Sequence, residues 1–152
     1  MIPCLRRFCI LLFAPLVLTA SACSSGSPFA EVSGVVLLDG KPMPDAIVQF
    51  VPEPDKNTNG PPSGGKTDEE GRFRLQSEDK YAKGGAVVGF HRVVIRDKRA
   101  IAPGRNRWED PMKRPKTPRS RISMRYAEVQ STPLRQEVKA GSQTLTLELT
   151  SK

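Results

Sequence analysis

Val32 to Val51, VSGVVLLDGKPMPDAIVQFV, constrains the fold more than any other stretch of the chain. In Val32 to Leu38 apolar side chains fall on both faces, the pattern of a strand covered on both sides. Asp39-Gly40 then supplies a turn, because Gly40 can take the positive φ that an L-residue avoids, and Pro42 and Pro44 remove donors from the ladder. Ala46 to Val51 resumes the apolar run. The stretch predicts two β-strands joined as a hairpin by a tight, proline-edged turn. With 14 prolines and 12 glycines among 152 residues, many short elements are favoured over long helices, and the expected class is all-β, in one domain.

The residues before this stretch read as an export device. Arg6 and Arg7 precede the uncharged run Phe8 to Ala20, which ends in Ala20-Ser21-Ala22-Cys23. A basic start, an apolar core of secretory length and small residues at the cut are the layout of a signal peptide over 1–22; the core is too short to span a bilayer comfortably. The last four residues resemble a bacterial lipobox, with Ala20 where leucine is more common, which puts the lipid on Cys23. An ordinary A-x-A site releasing a soluble protein is the alternative. Cys4 and Cys9 fall within the signal, so Cys23 is the only cysteine after it and has no intrachain partner, a thiol most simply explained if lipid consumes it. Residues 23–30, with Ser24-Ser25-Gly26-Ser27-Pro28, are expected to form a flexible tether to a domain over 31–152.

Further along, Pro52 to Gly65 reads as a surface loop, and Asp68-Glu69-Glu70-Gly71 as a turn before Arg72-Phe73-Arg74-Leu75, which alternates strictly, with Phe73 and Leu75 on one face. Gln76 to Ala86 is a connection, and Val87 to Ile95 the next strand. If Val93 and Ile95 face the core, His91 does too. A metal site needs two to four converging ligands and no second histidine exists, so His91 is assigned a structural role. Leu134 to Lys139 and Thr144 to Thr150 alternate around Ala140-Gly141-Ser142, with Leu145, Leu147 and Leu149 inward, and predict a C-terminal hairpin.

The formal charge of +8 is uneven: Arg96 to Arg125 holds eleven basic residues against three acids, a surplus of eight, so the rest of the chain is close to neutral. Pro103, Pro111, Pro115 and Pro118 interrupt this segment and its apolar residues follow no period, so a basic loop at about 97–120 is expected. As a polyanion-binding arm it would use Arg105, Arg107, Arg119, Arg121, Lys113, Arg114 and Lys116, with Trp108 stacking or anchoring. The alternative is a solvated loop that happens to be basic. An exported protein meets anionic lipids and glycans, whereas the signal excludes cytosolic nucleic acid.

Taken together, Val32-Ser33-Gly34, Leu38-Asp39-Gly40-Lys41-Pro42, Thr67-Asp68-Glu69-Glu70-Gly71-Arg72-Phe73, the His91 to Ile95 strand, Arg125-Tyr126-Ala127, Ser131-Thr132-Pro133-Leu134 and Val138-Lys139-Ala140-Gly141 resemble small bacterial lipoproteins that carry a carboxypeptidase regulatory-like domain. The resemblance implies a transthyretin-like (prealbumin-like) antiparallel β-sandwich of about seven strands, serving as an accessory, adhesive or structural module with no shared catalytic residues. It does not extend to the basic segment between Arg96 and Arg119.

Against an enzyme stands the absence of any HExxH, GxSxG or phosphate-cradling glycine loop, of a cysteine nucleophile, and of a histidine other than His91. No catalytic residue, metal or cofactor is assigned. The expectation is a non-catalytic, membrane-anchored module in the cell envelope, on its periplasmic or outer side, whose partners are the membrane through its lipid and an envelope protein or an anionic glycan or lipid. A polyanion-binding or carbohydrate-binding exported protein is the alternative, with Trp108, Tyr81 and Tyr126 its scattered aromatics, and a hydrolase limited to His91 the remote one.

Overall fold

The computed structural model describes residues 29–79, 84–101 and 118–151, and among these the regular structure is β-strand with a few single 3₁₀ turns. Strand β1 (Phe29–Leu38) lies at the centre of the first sheet. It pairs antiparallel with β2 (Lys41–Pro42), β5 (Arg72–Arg74) and β7 (Ala86–Val87), and parallel with β10 (Ser142–Leu149) from Glu31↔Ser142 to Leu38↔Leu149. The second sheet runs β6 (Gln76–Ser77), β4 (Ser63–Lys66), β3 (Ala46–Pro52), β8 (Gly89–Asp97), β9 (Arg135–Val138), all antiparallel.

Three local expectations are corrected in the same way. The opening hairpin does not form: the Asp39-Gly40 turn returns the chain only for the two residues of β2, and Asp45, at φ 56°, then swings it so that β3 joins the other sheet. The C-terminal pair is not a hairpin either. β9 pairs with β8, and after Gly141, at φ 100°, β10 crosses to β1. Val87 to Ile95 is two strands rather than one. β7 belongs to β1, β8 belongs to β3, and Gly89 sits at the crossing with φ 135°, where a Cβ would collide with Thr58. In each case a short positive-φ corner moves the chain between sheets, where the sequence pattern suggested that it stayed in one.

Two boundaries also shift. Phe29 and Ala30, expected in the tether, are the start of β1, paired with Val87 and Ala86, and Ala30 is buried. The expected loop from Pro52 to Gly65 ends inside β4, a strand with no large apolar side chain. Gly65 is required there, because a Cβ would run into the carbonyl of Arg74.

The inward residues of both sheets meet in one apolar cluster. Val32 and Val36 of β1, Phe73, Leu75, and Leu147 and Leu149 of β10 share it with Val48 and Phe50 of β3, Val93 and Ile95 of β8, and Ile122 and Tyr126 from the segment before β9. Each such side chain contributes about 1.5–3 kcal/mol when fully buried. The period-two alternations hold: Phe73 is buried between exposed Arg72 and Arg74, and β10 buries Leu147 and Leu149 while exposing Thr144, Thr146 and Glu148.

Gly34 occupies the point where β10, β1 and β5 pass closest, since an added Cβ would strike the Leu145 carbonyl and come within 2.9 Å of the Phe73 ring. Gly34→Ala is therefore expected to lower stability by about 1–3 kcal/mol through overpacking, read as a lower urea midpoint at unchanged slope.

Candidate functional site

The chain at the end of β8 and the chain that resumes at 118–121 are tied together by one carboxylate. The side chain of Asp97 is fully buried, and its Oδ1 accepts from the Arg99 backbone N–H at 3.2 Å, capping a 3₁₀ turn over Lys98–Ala100. From the returning side, Arg121 donates its Nε to Oδ2 and its Nη2 to Oδ1, both at 2.8 Å, and its backbone N–H to Oδ2 at 3.0 Å. The same Nη2 reaches the Pro44 carbonyl at 2.6 Å, and the Lys98 N–H bonds the Asp45 carbonyl at 2.8 Å, so both strands of the stem are sewn to the β2–β3 corner. Burial alone would raise the Asp97 pKa, but the Arg121 hydrogen bonds and charge outweigh it and hold the carboxyl down to about 2.

This arrangement separates the expected cations. Arg121 is a structural residue whose charge is matched by Asp97, while Arg119 is exposed in the returning strand. Arg105, Arg107, Trp108, Lys113, Arg114 and Lys116 lie outside the described residues, as do Cys23 and Tyr81. Beside the stem, Ile101 and Met124 are 46% and 60% exposed, and they share with Arg96, Ala100, Ile122 and Glu128 a shallow hollow of about 180 Å³. Tyr126 is no platform for a sugar ring. It is buried, its hydroxyl lies 3.1 Å from Thr150 Oγ1, and the Arg125 guanidinium covers its ring at 4.9 Å.

A second buried carboxylate, Glu53, escapes any local reading of the sequence. Its Oε1 lies 2.9 Å from Arg92 Nε and 2.8 Å from Arg135 Nε, and the Arg92 guanidinium continues to the Val129 carbonyl. Residues 39 positions apart are joined here, and no motif announces the pair. Arg92 thereby ties the Val129 carbonyl to β8, and Arg96, two side chains along the same face, donates to the Ala127 carbonyl at 3.2 Å.

His91 does face inward with Val93 and Ile95. It is 1% exposed, packs with its ring centroid 5.8 Å from that of Phe50, and has Nδ1 3.1 Å from the Gly89 carbonyl. A carbonyl only accepts, so Nδ1 carries the proton and Nε2, which has no hydrogen-bond partner among the described residues, keeps its lone pair. Burial, only partly offset by the Gly89 carbonyl and Glu53, lowers its pKa below the usual 6.5. Among the described residues no three His, Cys, Asp or Glu side chains converge on a metal position, and no helix is long and apolar enough to cross a membrane.

No family model, curated protein or solved structure matches the chain.

Two outcomes follow from these buried charges. Arg121→Met removes the close charged partner of buried Asp97, leaving it the backbone N–H groups of residues 99 and 121 and the Arg99 Nε at 3.6 Å, and is expected to cost about 2–4 kcal/mol in chemical denaturation. For His91 the depressed folded pKa means that the unfolded chain takes up a proton first. Its contribution is whole above pH 6.5 and declines as pH falls from there toward the folded value. His91→Leu should flatten that part of the stability-versus-pH curve, measured by urea midpoints at half-unit steps.

Proposed function

We propose that the chain is an exported, lipid-anchored and non-catalytic binding module of the cell envelope, built as a transthyretin-like β-sandwich. The observation that carries the reading is the placement of Cys23. It is the only cysteine after the apolar N-terminal run, and five residues, Ser24 to Pro28, separate it from Phe29, where β1 begins. At an extended reach of about 3.3–3.6 Å per residue, the tether holds the domain within roughly 20 Å of a bilayer. The acyl chains of a lipoprotein supply firm anchoring where one chain would hold only marginally. The two-sheet core supports the sandwich, and the burial of His91 argues against acid–base work on a substrate in solution.

A specific observation favours polyanion binding as the second reading. The Asp97–Arg121 clamp neutralises the acid at the root of the basic segment and fixes both its ends to a rigid corner. Exposed Ile101 and Met124 beside it match a surface that is apolar within and anionic at its headgroups.

In cells fed radioactive palmitate, the wild-type chain should carry label and Cys23→Ala should carry none; an unlabelled wild type defeats the anchor. For the basic segment, Cys23→Ala protein should float with vesicles of phosphatidylglycerol but not of phosphatidylcholine alone. That binding should weaken severalfold between about 0.1 and 0.5 M salt, as screening predicts, and vanish when residues 102–117 are deleted. Equal flotation with and without them refutes the second reading.

A further inference from the structure

The strands that end the sheets are short, with one exception. β2 and β6 have two residues each and β9 has four, whereas β10 runs for eight and, among the described residues, pairs only with β1. Long edges are normally blunted by proline, lysine, a bulge or a covering segment, because their unpaired N–H and C=O groups template another strand. β10 has no proline and no lysine, its register with β1 is unbroken, and Glu148 is its one charge.

The direction of its free groups follows from the ladder. Glu31 N–H bonds the Gly141 carbonyl and Asp39 N–H bonds the Leu149 carbonyl, so the odd-numbered residues of β10 turn their backbone groups toward β1. Ser142, Thr144, Thr146 and Glu148 therefore present theirs to the open side, and all four are exposed. On the inward face of the strand Leu145 packs against the core cluster but stays partly exposed.

We propose that this edge binds a second copy of the chain, β10 against β10 in antiparallel pairing about a two-fold axis through Leu145. The strand is self-complementary in that register. Thr144 meets Thr146 of the copy and Ser142 meets Glu148, so every outward N–H and C=O of these residues is paired, hydroxyls face hydroxyls and no like charges oppose. Leu145 meets Leu145 of the copy at a non-hydrogen-bonded position, which covers its remaining apolar surface. Shifting the axis to Thr146 sets Thr144 against Glu148 and moves Ser142 beyond the strand's end, losing pairs. An isologous contact of this kind closes after two copies.

The proposal is independent of the lipid and of the basic segment. Residues at a non-hydrogen-bonded antiparallel position have Cα atoms about 4.5 Å apart, within disulfide reach. In the full chain expressed and exported in cells under mild oxidation, Leu145→Cys should give several times more reducible dimer than wild type on a non-reducing gel. Gln143→Cys and Leu147→Cys alone should not, since each lies roughly 13 Å from its own copy in this register, whereas the two co-expressed with different tags should cross-link to each other. Adding Thr146→Pro to Leu145→Cys removes an outward N–H without touching the β1 ladder. It should abolish the dimer while protease resistance shows the fold retained; if that double variant is not protease-resistant, the co-expression result decides. Leu145→Cys dimer no greater than wild type, equal dimer at all three positions, dimer indifferent to Thr146→Pro in the folded protein, or a disulfide to a different protein would each overturn the assignment.

Discussion

The hydrogen-bonding capacity of β1 is the constraint on which the molecule depends. Both of its edges are occupied: β10 runs along one, and β5, β7 and β2 divide the other. A strand flanked this way needs its inward face apolar and, where neighbours press closest, empty of side chain. Val32 and Val36 meet the first need and Gly34 the second. The second sheet then only has to lay the buried face of β3 and β8 over that strand, with seven residue pairs from Ala46↔Asp97 to Pro52↔His91 holding its own centre.

What could be read from the residues was which side chain faces in. The alternation at Arg72 to Leu75, the inward set His91, Val93 and Ile95, and the leucines of β10 all stand in the structure as their period-two spacing implies. What could not be read was the neighbour. A period of two assigns a face and is silent on the partner, so Val32 to Val51 and Leu134 to Thr150 looked like hairpins although each spans both sheets. The parallel pairing of β1 with β10 left no local signal at all. β4 was missed for the opposite reason: Ser63-Gly64-Gly65-Lys66 has no apolar pattern, because the Arg74 carbonyl leaves room only for glycine at position 65.

The charges divide by the same logic. A run of arginines and lysines reads as one basic feature, yet within it Arg121 is consumed by Asp97, while outside it Arg92 and Arg135 are consumed by Glu53. The clue within the run was Asp97 itself, the acid nearest the point where a regular strand gives way to proline-broken sequence. Glu53 offered no such clue, since its partners come from β8 and β9. The Asp97–Arg121 pair removes one charge of each sign, so the segment's surplus of eight is unchanged, and the corner at the end of β8 is braced by a buried ion pair.

The pairing of β1 with β10 also orders events in time. Ser33 and Thr144, whose hydroxyls lie 3.4 Å apart, are separated by 111 positions. During synthesis one side of the central strand therefore waits, unpaired, until nearly all of the intervening chain has emerged. Closing so long a loop is slow compared with local contacts. The first sheet is therefore completed late, by a strand that has to come back across 111 positions rather than from a neighbouring turn.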